Sequence, residues 1–268
     1  MSGIVYLVGA GPGAPDLLTV RAARLLGEAD IVFHDALVHP ETLALAARAE
    51  KVAVGKRCQK IGTDPIFRDA GSIPQYQQRF INKRLIDAAR RYKVVVRLKG
   101  GDPMLFGRTQ EELDALCAAG IRCEVVPGVT AALAAAAEFG VSLTLRGVAR
   151  SVSFITPRVG EGEKRNDWVQ AALAADTVAL YMGAGEAGAI AAALISGGKP
   201  AGTPVAIAEN VSLRDANVVA GTLGELEALA AQRGSGPALV LIGEVWGKLA
   251  ARKMGSDPIS RTASNGEK

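Results

Sequence analysis

Three places in this sequence put residues capable of chemistry at the end of an apolar stretch. In the first, Ile4–Val8 runs into Gly9-Ala10-Gly11-Pro12-Gly13, and Pro15-Asp16 follow. Glycines there permit a sharp turn and the close approach of a ligand to backbone. A dinucleotide fingerprint of the G-x-G-x-x-G/A kind fits with Ala14 in the third position, but Pro12 has no N–H and removes one donor from a phosphate cradle. A tight turn without a ligand fits the same residues. In the second, Val94–Lys99 ends in Gly100-Gly101-Asp102-Pro103. Asp102 either caps the turn or faces a ligand; Arg97, Lys99 and Arg108 around it form a basic fringe suited to a polycarboxylate, or ordinary solvated charge. In the third, Val32-Phe33-His34 delivers Asp35, a candidate general base or a turn cap. Lys56, just past Val52–Val54 and Gly55, is either its charge partner and proton donor or a solvated lysine. Lesser signals are Pro127-Gly128-Val129-Thr130-Ala131, a turn into a helix of small residues, and Tyr181-Met182-Gly183. Met182 there packs against a ligand's adenine or thioether, or simply in the core.

The elements that position these residues follow an α/β rhythm. Strands are expected at 4–8, 31–33, 52–54, 94–98 and 123–126, with helices at 16–27, 79–91, 110–119 and 130–138. That describes an N-terminal α/β domain over residues 1–138. Residues 139–150 lack helical periodicity and read as a linker. A second α/β domain, 151–247, has strands at 152–156, 178–182, 205–208, 217–220 and 238–242 and helices at 167–174, 185–196 and 223–231. The stretch Gln59–Gln75, with two glycines and two prolines, reads as a long loop. Residues 248–268 are too polar to fold and are expected to be a disordered tail.

Composition narrows the function classes. The 268 residues are 49% hydrophobic, enough for two ordinary cores. No apolar run reaches the roughly 18–20 residues of a membrane span, and the start of the sequence runs into an expected strand with no basic n-region or cleavage site, so the cytosol is the expected compartment. The net charge is +4, mostly contributed by residues 247–268, and aromatics make up 4%, too few for a base-stacking surface. A nucleic-acid partner is therefore not expected. Three cysteines (58, 117, 123) and two histidines (34, 39) give no metal-ligand spacing.

The motifs in their order, VGAGPGAPDLLT, VFHDALV, VGKR, RLKGGDPMLFGR, VPGVTAA, ALYMG and GPALVLIGEV, closely resemble the tetrapyrrole methyltransferase family over roughly residues 4–246. VFHDALV with RLKGGDP resembles the branch that methylates uroporphyrinogen III. The resemblance implies two α/β domains with a cofactor cleft between them, S-adenosylmethionine as methyl donor, and two successive transfers to pyrrole carbons giving precorrin-2, for sirohaem or cobalamin. It implies cofactor contacts at Pro12, Gly100, Gly101, Asp102, Leu105, Thr130, Ala131, Met182, Val211 and Ala238. Asp35 becomes the implied proton acceptor, Lys56 the donor, and Arg97, Arg108 and Arg146 the substrate-side cations. A homodimer is implied as well. The chain departs from the family pattern at Thr109-Gln110 and Leu145, and by a longer loop after Lys56-Arg57. The readings kept open beside this one are a methyltransferase for a later precorrin, a nicotinamide-dependent oxidoreductase and a tetrapyrrole carrier.

Overall fold

The apolar runs become strands, and the helices pack over them in two compact units. In the computed structural model, which describes residues 2–54, 74–159 and 167–249, one unit comprises Met1–Glu138 with Asn210–Ala216, the other Phe139–Glu209 with Asn217–Lys268.

The sheet of the first unit contains β1 (Ile4–Gly9), β2 (Ile31–His34), β3 (Glu50–Ala53), β4 (Val94–Lys99) and β5 (Arg122–Val126), in the order β3-β2-β4-β1-β5. Every pairing is parallel, so all five C-terminal ends lie along one edge. Side chains alternate across this sheet with a period of two. Val5, Leu7, Ile31, Phe33 and Val95 meet Ile81 and Leu85 of the helix Pro74–Ala89 and Leu116 of the helix Thr109–Ala118. Val8, Val32, Val96 and Leu98 meet Ala22, Leu25 and Leu26 on the other side. That second layer belongs to α1 (Val20–Glu28); α2 (Pro40–Ala44), α3 (Pro74–Ala89), α4 (Thr109–Ala118) and α5 (Ala131–Glu138) complete the unit. Because alternate residues share a face, Arg97 and Lys99 follow Val95 into the α3–α4 layer.

The second unit has a mixed sheet, in the order β6-β7-β10-β8-β9. Its strands are β6 (Val152–Ile155), β7 (Thr177–Tyr181), β8 (Pro204–Glu209), β9 (Asn217–Thr222) and β10 (Ala238–Ile242). Only β6 and β7 pair in parallel; β7–β10, β10–β8 and β8–β9 are antiparallel. Helices α6 (Trp168–Ala174), α7 (Ala187–Ser196) and α8 (Leu226–Ala231) contribute Ala172, Ile190, Leu194, Leu226 and Leu229 to a core with Val178, Leu180, Ile207 and Val240.

Several boundaries differ from expectation for identifiable reasons. Helix α1 starts at Val20, not at 16, because the Thr19 side chain accepts a hydrogen bond from Ala22 N–H and caps it, while Pro15–Leu17 forms a separate 3-10 turn. Helix α3 begins at Pro74, a residue suited to the first turn of a helix, where the loop was expected to continue. Helix α2 was not anticipated; five residues are too few to show a period. Residues 139–150 group with the second unit, where Leu145 and Ala149 form a short antiparallel bridge. Leu249 is 1% exposed, so the chain is still packed at a position expected to be in a disordered tail. The remainder of that tail, 250–268, and loop positions 59–73 lie outside the described residues. Among the described residues no helix is long and apolar enough to cross a membrane, and no group of three or more His, Cys, Asp or Glu could hold a metal ion.

Candidate active site

Parallel pairing gathers the candidate residues of the first unit at one edge of its sheet. Beyond β1, Ala10 N–H donates to Lys99 O (2.7 Å), and Gly11 and Gly101 exchange backbone hydrogen bonds of 3.2 and 2.7 Å. Gly11 and Gly101 both take positive φ, +70° and +68°, which suits glycine there. The β5 end closes against the same point. A Cβ on Gly9 would lie 2.6 Å from Gly128 Cα and 2.8 Å from Gly101 O, and a Cβ on Gly128 would lie 2.9 Å from Gly9 Cα. Three strand ends therefore touch through bare backbone, and only glycine fits. Asp102 locks this arrangement: Oδ1 accepts from Met104 N–H (2.8 Å) and Oδ2 from Gly128 N–H (2.9 Å). This is the capping role open to it from sequence, extended to a second strand end.

The Gly9–Gly13 turn is poorly furnished for phosphate. Its N–H groups at Ala10 and Gly11 are already given to Lys99 and Gly101, Pro12 has none, and Ala14 N–H donates to Ser212 Oγ (3.0 Å). A pyrophosphate cradle needs free N–H groups, so the nicotinamide reading loses its main support.

Asp35 follows β2, with its side chain 28% exposed, and its Oδ1 accepts from Arg97 Nη2 at 2.6 Å. Arg97 itself is buried. Its Nε donates to Glu112 Oε1 (3.1 Å) and its Nη1 to Leu98 O (3.1 Å). Glu112, on α4, has a side chain with no exposure; its Oε2 takes Lys99 Nζ at 2.7 Å and its Oε1 also accepts from Gln78 Nε2 at 3.2 Å. Two buried cations on one strand face demand a buried anion, and α4 supplies it. Burial acts to lower the Arg97 pKa, but the carboxylates of Asp35 and Glu112 outweigh it and hold the guanidinium above its ordinary value. For Lys99 burial dominates and, with Arg97 alongside, moves the ammonium below its ordinary value despite Glu112.

The other candidates fall as follows. Arg108 stands at the start of α4 with φ +54° and forms a two-point pair with Glu111, Nε–Oε1 2.6 Å and Nη2–Oε2 2.8 Å. Leu105 N–H donates to Asp102 O (3.2 Å), and Thr130 and Ala131 lead into α5 beyond Gly128. Val211, 6% exposed, sits between Asn210 and Ser212, both at positive φ. Pro12 lies in the glycine turn beside these. In the second unit Met182, half exposed with φ +59°, follows β7, and Ala238 begins β10. Since Leu239 pairs with Tyr181, Ala238 and Met182 are neighbours on adjacent strands. Arg146 is exposed in the Leu145–Ala149 turn. Lys56 lies outside the described residues.

Sequence reasoning missed Glu112 and Glu209. The available signal for Glu112 was two cations inside the buried-looking run VVVRLK, which required a partner. Glu209, 5% exposed, accepts from Gly234 N–H and Gly236 N–H, both at 2.7 Å, and so fixes the loop that leads into Ala238.

Known proteins resemble this chain along most of its length. The family model for tetrapyrrole (corrin/porphyrin) methylases matches residues 4–227. A siroheme synthase of Chromobacterium violaceum is 45% identical over 246 residues, 91% of this chain and 50% of that protein. One from Sodalis glossinidius is 46% identical over 91% of this chain and 49% of its own length. The chain thus spans about half the length of the curated relatives it matches. Among solved structures, the Thermus thermophilus uroporphyrin-III C-methyl transferase complexed with S-adenyl homocysteine superposes with a TM-score of 0.75 at 39% identity, covering 91% of this chain and 93% of that one. A cobalt precorrin-4 methyltransferase superposes with the same TM-score at 27% identity, over 91% and 95%.

Proposed function

Because the chain belongs to the tetrapyrrole (corrin/porphyrin) methylases, we propose that it transfers two methyl groups in turn from S-adenosylmethionine to pyrrole carbons of uroporphyrinogen III, giving precorrin-2. The observation that carries this reading is the meeting of Gly9, Gly101 and Gly128 at the C-terminal edge of a parallel sheet, with the Asp35 carboxylate at the neighbouring strand end. The close crossing of Gly9 and Gly128 and the positive-φ turns at Gly11 and Gly101 bring main-chain groups to this edge of the sheet, which suits a cofactor recognised through main-chain groups. Pro12, Gly100, Gly101, Asp102, Leu105, Thr130, Ala131 and Val211 would hold it.

S-adenosylmethionine supplies a methyl already activated on a sulfonium. What remains for the protein is orientation and charge. A pyrrole carbon that gains a fourth bond develops positive charge on its ring, and a carboxylate beside it favours that change and accepts the proton that follows. Asp35 takes this role and Lys56 returns a proton. Arg108 and Arg146 bind the substrate's carboxylates. Arg97, with its three nitrogens engaged inside the protein, serves the site from behind Asp35. We further propose a cytosolic homodimer; light scattering and cell fractionation test those two points.

The deciding experiment incubates the purified chain with methyl-labelled S-adenosylmethionine and uroporphyrinogen III. Two labels per tetrapyrrole are expected, in a product that fluoresces on oxidation. A folded preparation that binds S-adenosylhomocysteine yet transfers no label to this substrate overturns the reading. Transfer only to a later precorrin moves the chain to another branch of the family.

A further inference from the structure

We propose that Glu112 is a positioning residue: by occupying one edge of the Arg97 guanidinium it keeps Arg97 on a single oxygen of Asp35 and leaves the other oxygen for the substrate. This inference rests on the assignment of Asp35 as proton acceptor.

Glu112 is a charged group with no solvent exposure, in the layer where Leu85, Leu116 and Ile81 form the apolar core and Arg97, Lys99 and Gln78 are its polar neighbours. A buried ion cluster is often no more stabilising than apolar side chains of similar volume, so burial alone gives no reason for it to be there. The geometry does. Arg97 has three nitrogens: Nε is taken by Glu112 Oε1, Nη1 by the carbonyl of Leu98, and Nη2 by Asp35 Oδ1. A planar guanidinium held at three edges cannot rotate, and one nitrogen remains for Asp35.

An arginine released from such restraints pairs with a carboxylate through two parallel hydrogen bonds, its preferred geometry. In that arrangement both oxygens of Asp35 would be covered and the base would face the protein instead of the substrate. Lys99, 2.7 Å from the second oxygen of Glu112, and Gln78, 3.2 Å from the first, hold the carboxylate of Glu112 in turn. The cluster of Arg97, Lys99, Glu112 and Asp35 carries two positive and two negative charges. Glu112 therefore balances the second cation and sets the direction of Arg97 at once.

Two variants of the full chain test this. Glu112→Asp keeps the charge and withdraws the carboxylate by one methylene. Glu112→Gln with Lys99→Met removes one anion and one cation together, so the interior stays balanced if the single change alone prevents folding. In both, kcat for methyl transfer is expected to fall about 10- to 100-fold, the usual scale for disturbing a group that orients a reacting one. S-adenosylhomocysteine affinity by calorimetry and KM for S-adenosylmethionine should stay within about twofold.

The second readout is a cycle with Asp35→Asn. Because Glu112 acts through Asp35, its substitution should cause no further loss of the residual single-turnover rate in that background. A loss that multiplies with that of Asp35→Asn, or an unchanged kcat in either Glu112 variant, overturns the inference. A fully active Asp35→Asn protein instead refutes the role of Asp35, and the inference falls with it. Failure of the unmodified chain to transfer label refutes the functional reading separately.

Discussion

The two units use the same device at one edge of their sheets and different devices at the other. Where parallel strands begin, each unit places an aspartate just before one strand to bind two successive N–H groups at the start of its neighbour. Asp30, before β2, accepts from Lys93 and Val94 N–H, both at 2.9 Å; Asp176, before β7, accepts from Arg150 and Ser151 N–H at 2.8 and 3.0 Å. At the edge where the parallel strands end, the units differ. The first holds Asp35 through an interior cluster of Arg97, Glu112 and Lys99, while the second holds its loop before Ala238 through the buried carboxylate of Glu209 on the free N–H groups of Gly234 and Gly236. A buried charge finds different partners in the two settings. The central strand β4 spends its own N–H groups in parallel ladders on both sides, so an ion facing its surface must be met by side chains. A strand that ends beside an irregular glycine loop offers free backbone donors, and one carboxylate suffices.

Removing each device separates the interior ions from the backbone clamps. Glu112→Ala should be most costly, about 3–5 kcal/mol of unfolding free energy, because it leaves buried Lys99 without its anion and Arg97 with Asp35 alone; denaturant titration checks this. Gly128→Ala should follow at about 3 kcal/mol, since the new Cβ meets Gly9 and Gly101 backbone, and should abolish S-adenosylhomocysteine binding by calorimetry. Glu209→Ala should cost about 2 kcal/mol, leaving two loop N–H groups that can turn to water. If Glu209→Ala proves as costly as Glu112→Ala, the contrast between interior ions and backbone clamps is wrong.

The smallest effect is a matter of pH. The N–H of Arg150, then the hydroxyl and N–H of Ser151, lower the Asp176 pKa below its ordinary 3.8. A carboxylate depressed in the folded state contributes stability above the ordinary value, and that contribution disappears as pH falls through the lower folded value. Thermal melts of Asp176→Asn should therefore lie below those of the parent at pH 6 and converge with them in strong acid. Parallel curves across the range would show that the clamp is not electrostatic.

Much of the architecture was legible because buried strands write continuous apolar runs. Ile4–Val8, Val94–Leu98 and Ala238–Ile242 lie within or coincide with strands. Helix starts were less legible: a threonine cap and a 3-10 turn share the stretch read as one helix at 16–27, and polar residues 74–79 hid the first turns of α3. At the site, the glycine turns declared themselves by composition. The reason Gly9 and Gly128 must be glycine did not, since it is a crossing of segments far apart in the chain. Arg97 read as a fringe charge because a single strand does not disclose what covers it; only the packing of α4 reveals that it is interior. Glu209 was silent for the same reason, and Glu112 was signalled only by the two cations that needed a partner.

The interior position of Arg97 and Lys99 also constrains the order in which the first unit assembles. Strand β4 can pair with β1 and β2 through backbone and apolar contacts alone, but the face carrying the two cations cannot shed water before an anion reaches it. Glu112 lies only 15 and 13 residues further along the chain from them, a short loop to close, whereas Asp35 is 62 residues from Arg97. Docking of α4 onto β4 is thus the step expected to bring the anion to this face. Folding-rate measurements on Glu112 variants should find the effect in refolding more than in unfolding, which makes this carboxylate a timing element in the birth of the molecule.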